Sequence, residues 1–274
     1  MSTLLTSPEA ALFYLGLLAL VLASLVVWVA LLTNAGRDGL LIMLSIIAVL
    51  AFGASITLRW DATGSGPFLT LYEVLLSNLF SLGLIFTLVF IWIANARPAA
   101  LLVFPFLSML AFWAAAEDTA ALQLPATYNT VLLWLHVGVG KIFLGMCMIA
   151  TALAGVLLLR HVSESRFFDS TPESRTLDNL AWRCMAIAFV FQSLMLIAGA
   201  AWAQDAWGRF WAWDSLETWA FITWLLLGLS MHMRLTWKLP AWTGWLMILV
   251  VFSLALLTFF GVPFSSIGPH RGIV

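Results

Sequence analysis

Six tryptophans lie close together in one segment of the chain, residues 202–224, which we call the tryptophan segment. Gly208, Asp214 and Glu217 are interleaved with them. Tryptophan favours the headgroup region at the ends of membrane spans, and an interfacial belt accounts for some of these residues. A belt alone does not account for six tryptophans in one segment together with two carboxylates and a glycine. An electron-rich surface with few polar anchors suits a large planar ligand, such as a porphyrin or a quinone. The tryptophans are Trp202, Trp207, Trp211, Trp213, Trp219 and Trp224.

A helical interpretation of the tryptophan segment predicts two mixed faces. Residues at i, i+4 and i+7 lie on one side of an α-helix because it has 3.6 residues per turn. If the segment is helical, each of two faces therefore combines indole rings with a carboxylate. One face would hold Trp207, Trp211 and Asp214, and another Trp213, Glu217 and Trp224.

The histidines separate a porphyrin from a quinone, because haem iron takes imidazole ligands. The chain has four, His136, His161, His232 and His270. His161 follows Arg160 in a hydrophilic stretch, so we interpret it as a solvated loop residue. His136 lies near the start of one apolar run and His270 just beyond another, and they are candidate ligands for the two faces of a haem. His232 lies inside an apolar run, where a polar residue is often functional.

Composition assigns the chain to the membrane. It has 274 residues, of which 63% are hydrophobic and 9% charged, and its mean hydropathy is +1.05. Soluble domains are about 45–50% apolar and about 25% charged. The net charge of −1 and the lack of a basic run argue against nucleic acid as a partner. Cys147 and Cys184 form no C-x-x-C pair, and we interpret them as small buried hydrophobes.

Apolar runs predict an all-α polytopic membrane protein of about eight transmembrane helices, with residues 1–274 as a single integral membrane domain. A spanning helix needs about 20 apolar residues. The first run follows a segment without a basic n-region, so we expect a retained span and not a signal peptide. The runs are 11–33, 39–58, 70–95, 99–115, 129–159, 179–202, 217–237 and 240–262.

Basic residues predict the orientation. Arg and Lys are enriched in cytoplasmic loops, and eight of the twelve follow the odd-numbered runs. Both termini are then outside, together with His136, His270 and the tryptophan segment, while His232 lies toward the cytoplasmic end of run seven. Lys141 lies within run five, where we expect a salt bridge or a snorkelling role. The eight are Arg37, Arg97, Arg160, Arg166, Arg175, Arg183, Arg234 and Lys238.

The run A-W-G-R-F-W-A-W-D-S-L-E-T-W, followed by Trp224 and His232-Met233-Arg234, resembles the WWD signature of the CcsA (ResC) family. These are haem-handling membrane proteins of system II cytochrome c biogenesis. The resemblance covers the chain from about residue 55 onward. Its other segments are Arg59-Trp60, Gly66-Pro67, Leu71-Tyr72-Glu73, Leu135-His136-Val137, Gly261-Val262 and Gly268-Pro269-His270.

The resemblance implies a set of haem contacts. His136 and His270 would be the axial ligands to iron at an external site, and His232 would match the in-membrane histidine that ligates haem on its way outward. The haem would be haem b, held non-covalently and in transit. Trp207, Gly208, Trp211, Trp213, Asp214 and Trp219 would line it, and the residue pattern adds Glu217.

The resemblance also implies a function and partners. The chain would deliver haem to the outer face, where it is covalently attached to apocytochrome c, together with a CcsB/ResB-type membrane subunit. The complex would then have haem lyase activity, with no catalytic residue from this chain. The membrane would be a bacterial inner membrane or a thylakoid, with the site facing periplasm or lumen. This chain has no C-x-x-C-H motif, so we expect a carrier and not an acceptor.

One departure from the family keeps two alternatives open. Ser215 and Leu216 stand where the family usually has proline and lysine in W-D-P-K-E-T-W, which predicts an altered turn after Asp214. The chain is alternatively a CcsA-like subunit retained in a respiratory or photosynthetic complex. A quinone-binding protein is the third interpretation.

Overall fold

The computed structural model describes residues 7–33, 37–64, 66, 69–120, 130–162, 168, 171–237 and 239–261. All regular elements in these residues are helical. A 3₁₀ helix, Ala94–Ala99, leads into the fourth α-helix, and a π-helical turn, Leu257–Gly261, follows the eighth. The α-helices in chain order are α1 Pro8–Thr33, α2 Asp38–Thr63, α3 Leu71–Trp92, α4 Ala100–Ala116, α5 Val131–Val162, α6 Ser174–Trp207, α7 Ser215–Thr236 and α8 Ala241–Leu256.

The predicted all-α polytopic fold is confirmed. Among the described helices, seven are long and apolar enough to cross a membrane. The exception is α7, which carries Glu217, His232 and Arg234 among its apolar residues. Every predicted run corresponds to one helix, with ends that differ by a few residues. The side on which the termini lie stays a prediction.

The helices fall into two compact units, and the first comprises residues 1–123 and 162–172. In it α1 packs against α2 and α4, and α3 packs against α2 and α4. Its core is rich in phenylalanine: the rings of Phe86 and Phe104 meet edge to face with centroids 5.4 Å apart. Phe52 fills the space beside Gly16, where a Cβ atom would lie 2.7 Å from its ring.

A buried ionic cluster joins α1, α2 and α3 of the first unit. Arg59 Nε donates to Glu73 Oε1 at 2.7 Å, and Arg59 also contacts Glu9 Oε1 at 3.4 Å. Glu73 forms a capping box with Thr70 at the start of α3, and the Arg59 guanidinium lies 5.0 Å from the Tyr72 ring centroid. Thus Arg59, Tyr72 and Glu73, singled out by their sequence pattern, lie together. The free-energy cost of burying the charges of Arg59 and Glu73 is offset by their ion pair and hydrogen bonds.

The second unit comprises residues 124–161 and 173–274 and includes α5, α6, α7 and α8. At one end, Asp178 of α6 accepts hydrogen bonds from Arg234 of α7 and from Trp245 Nε1 of α8, the latter at 2.9 Å. This carboxylate therefore joins three helices. His161, expected in a loop, belongs to the last turn of α5, and its ring centroid is 6.4 Å from that of Trp245.

Candidate functional site

The tryptophan segment consists of two helix ends joined by a turn, so the two faces expected if the segment were helical do not form. α6 ends at Trp207, and Gly208 adopts a left-handed conformation with φ 73°, its N–H donating to the Gln204 carbonyl. Glycine terminates helices in this way because a Cβ atom disfavours positive φ. α7 begins at Ser215, after a non-helical turn of residues 208–214. Trp207, Trp211 and Asp214 therefore share no helical face.

The two carboxylates of the tryptophan segment stabilise this turn by accepting hydrogen bonds from backbone N–H groups. Asp214 is the N-cap of α7 and accepts the Glu217 backbone N–H at 2.9 Å. Glu217 Oε2 in turn accepts the Ala212 backbone N–H at 2.7 Å. The Thr218 hydroxyl donates to the Trp213 carbonyl at 3.3 Å. Both predicted cofactor-binding carboxylates thus have local structural partners.

Ser215, one of the two departures from the family pattern, is the first residue of α7. The backbone N–H at this position has no intrahelical partner, and proline is common there because its ring fixes a helical φ. Serine and proline both fit such a position. The substitution therefore leaves the Asp214 cap in place.

Trp213 has a strained backbone conformation and an exposed side chain. Among the described non-glycine residues it alone has a positive φ, 57°, and its side chain is 67% exposed. The left-handed conformation costs an L-residue about 1–2 kcal/mol. Its ring meets those of Trp211 and Phe221 edge to face, with centroids 5.7 and 6.0 Å apart. Strain of this kind concentrates at functional sites.

An aromatic stack continues from Trp213 along α7, and sequence analysis missed most of it. Phe221 stacks on Trp224 with centroids 5.8 Å apart and planes 19° apart. Trp224 stacks on Phe189 of α6 at 5.6 Å, and its Nε1 donates to Ser193 Oγ at 2.9 Å. The spacing of Phe221 and Trp224, three residues apart on one helix, was the available signal.

The other predicted indoles lie around the same turn. The Trp207 ring meets Trp202 edge to face at 4.8 Å, and Trp219 is half-buried in the first turns of α7. The Nε1 atom of Trp211 is buried and makes no hydrogen bond within the described part of the chain. A buried indole N–H normally has an acceptor. Trp211 is therefore suited to donate to a ligand carboxylate.

His136 lies in the second turn of α5 and packs against α6. Its Nδ1 is 2.8 Å from the Met195 carbonyl oxygen. Because a carbonyl only accepts, Nδ1 carries the proton, and in the neutral ring the lone pair is on Nε2. The ring also lies against Gly199, eight residues before Trp207 and hence about 12 Å from it along α6. His136 and the tryptophan segment thus share one end of the second unit.

Of the two remaining predicted ligands, the structure describes only His232. His232 is exposed near the end of α7, eighteen residues after Asp214 and about 27 Å away along the helix. His232 is therefore distant from the turn that carries Trp211 and Trp213. His270 lies outside the described residues, so its role as second axial ligand stays a prediction.

The described residues fit a haem. His136 has an anchored ring with Nε2 as the donor that iron takes from histidine. Trp213 and the stack behind it provide flat apolar surface for a macrocycle. The buried Trp211 N–H matches a carboxylate at the edge of such a ligand.

A family model described as cytochrome C assembly protein matches residues 11–270. The chain belongs to the cytochrome c assembly protein family. Its relatives are named cytochrome c biogenesis protein CcsA, which confirms the resemblance seen in the sequence. Seven apolar helices and this family membership make it an integral membrane protein.

Three relatives show how far the similarity of this cytochrome c assembly protein extends. The protein of Prochlorococcus marinus strain MIT 9301 is 44% identical over 104 residues, which are 35% of this chain and 31% of the relative. That of Manihot esculenta is 36% identical over 115 residues, 41% and 36% of the two chains. These matches span about a third of the relatives' length. The Guillardia theta protein is 29% identical over 226 residues, 73% of each chain.

Proposed function

We propose that this cytochrome c assembly protein acts in cytochrome c biogenesis by holding haem b non-covalently and presenting it for attachment to apocytochrome c. The observation that carries the proposal is the anchored imidazole of His136 at the same end of the second unit as the tryptophan segment. The family match and the relatives' names support the biogenesis role.

Each element of the site contributes binding and orientation. His136 Nε2 binds the iron, and the indoles of Trp211 and Trp213 cover the macrocycle and exclude water. Trp211 Nε1 donates to a propionate. The bound haem supplies vinyl groups that react with the cysteine thiols of the apocytochrome. Orientation of two reactants lowers the barrier because the entropy of bringing them together has already been lost on binding.

Two further parts belong to the proposal. His270 would be a second histidine that holds the haem iron, and His232, about 27 Å along α7 from Asp214, would hold haem at an earlier stage. The haem site faces the periplasm or lumen, and a CcsB/ResB-type membrane subunit completes the machinery that acts on apocytochrome c.

Deletion of the gene, followed by complementation, tests this function. We expect loss of all c-type cytochromes, restored by the wild-type gene and by Trp92→Ala but not by Trp213→Ala. Trp92 is a matched control because it is 76% exposed, against 67% for Trp213. Loss of a single respiratory or photosynthetic complex would instead support a retained subunit. Normal c-type cytochromes together with intact respiratory and photosynthetic complexes in the deletion strain would overturn both.

A further inference from the structure

The imidazole of His136, on α5, lies against Gly199 of α6. A Cβ atom on Gly199 would lie 2.7 Å from Nδ1 and 2.8 Å from Cε1 of His136. Real Cβ atoms essentially never approach another heavy atom within 3.0 Å. The ring therefore occupies space that is open only because residue 199 has no side chain.

The same position controls access to the Met195 carbonyl. In an α-helix the carbonyl of residue i accepts the N–H of residue i+4, so Met195 already pairs with the N–H of Gly199. A carbonyl oxygen has a second lone pair. His136 Nδ1 reaches that oxygen, at 2.8 Å, by lying directly over Gly199. A side chain at position 199 and this hydrogen bond are mutually exclusive.

We propose that Gly199 is a positioning residue for His136. Because Gly199 has no side chain, the imidazole reaches the Met195 carbonyl. The resulting hydrogen bond fixes Nε2 as the iron-binding nitrogen and sets the orientation of the ring. The inference rests on the proposed haem function. Ligating histidines generally donate their other ring N–H to a carbonyl or carboxylate, which fixes the tautomer and raises the basicity of the ligand. Here the acceptor is a helical backbone carbonyl, exposed by a glycine one turn later.

An alternative explanation is that Gly199 only permits close helix packing. Gly140 of α5 is such a position, since a Cβ atom there would lie 2.9 Å from Met195 Sδ. The two explanations predict different effects of Gly199→Ala on stability once the His136 imidazole has been removed. If the imidazole alone occupies the space, removal of the imidazole must make alanine harmless. If the backbones are in close contact, alanine remains harmful whatever residue 136 is.

A double-mutant cycle on haem-free protein tests the packing. Thermal unfolding is followed with a thiol-reactive fluorophore, because Cys147 and Cys184 are both free and buried. We expect Gly199→Ala to lower Tm in the wild-type background and to leave it unchanged or raise it in His136→Ala, since alanine is the better helix former. Gly138→Ala is the control, with nothing within 4 Å of its Cβ position. Equal lowering in both backgrounds would overturn the proposal.

Haem titration of the purified full-length variants tests the consequence for the ligand. We expect Gly199→Ala to weaken haem binding about 10–100-fold, the usual effect of losing such a hydrogen-bond partner, and to shift the reduction potential. Gly138→Ala should match the wild type. Wild-type affinity and potential in Gly199→Ala would overturn the positioning role. If the wild type itself binds no haem, the proposed function fails, whereas the Tm cycle still reports the packing independently.

Discussion

Glu217 reaches back along the chain and accepts the backbone N–H of Ala212 at 2.7 Å, which fixes the turn between α6 and α7. The bond closes the non-helical turn onto the first turn of α7. Trp211 and Trp213, the neighbours of Ala212, both lie in this turn, and their ring centroids are 5.7 Å apart. The geometry of the aromatic surface therefore depends on a carboxylate that was expected to contact ligand.

Replacement of Glu217 tests this dependence. Glu217→Ala should destabilise the protein by about 1–3 kcal/mol, because the Ala212 N–H loses a charged acceptor, and should reduce haem content. Glu217→Gln keeps an acceptor oxygen at the same place and should retain most of both properties. Thermal unfolding and the haem-to-protein ratio measure the two effects. If glutamine proves as damaging as alanine, the negative charge and not the hydrogen bond is what matters.

Asp214 offers a second test of structural against ligand-binding roles. Asparagine and aspartate are equally good N-caps, whereas alanine costs about 0.5–2 kcal/mol at such a position. We therefore expect Asp214→Asn to keep stability and haem binding, and Asp214→Ala to lose stability. A haem affinity that falls in Asp214→Asn without loss of Tm would show that the carboxylate charge contacts the ligand.

The left-handed residue at the end of α6 gives a third prediction. Gly208 has φ 73° and no neighbour within 4 Å of its Cβ position. Gly208→Ala should destabilise the turn by about 1–2 kcal/mol through backbone strain alone. Gly208→Asn should be milder, because asparagine tolerates this conformation. Thermal unfolding distinguishes the two variants, and equal Tm values for both would contradict a strain mechanism.

The ionic cluster of the first unit gives a fourth prediction. Glu73 is 1% exposed and accepts from Arg59 Nε and from the Leu69 and Thr70 backbone N–H groups. Glu73→Ala leaves Arg59 buried without this partner, and breaking a buried pair costs about 3–5 kcal/mol. Glu117→Ala is the control, at a half-buried carboxylate that accepts a hydrogen bond from Trp113 four residues earlier. The yield of folded protein in detergent should fall for the first variant alone.

The apolar runs and the turn residues between them made the helices predictable, because an apolar run of this length can adopt few structures other than a helix in lipid. Gly208 and Asp214 also carried the signals for a helix end and a helix start, and the single-helix interpretation overlooked them. The contact of His136 with Gly199 could not be predicted. It depends on how α5 and α6 pack, and no local pattern specifies a contact 63 residues apart in the chain.

The stack of Phe189, Phe221 and Trp224 had only a partial signal in the sequence, the i, i+3 spacing of Phe221 and Trp224. Phenylalanines are abundant throughout the chain, and only packing places Phe189 against Trp224. Conversely, the sequence drew attention to Asp214 and Glu217 as ligand contacts because polar residues among aromatics stand out. Their hydrogen bonds show a local role that composition does not reveal.

The most direct test of the haem assignment is the absorption spectrum of the purified protein in its wild-type, His136→Ala and His161→Ala forms. His161 is the matched control, an exposed histidine in the last turn of the same helix. We expect the wild type and His161→Ala to share the spectrum of a haem with imidazole ligation, and His136→Ala to lose or change it. A wild-type haem spectrum in His136→Ala would contradict the assignment of His136 as a ligand.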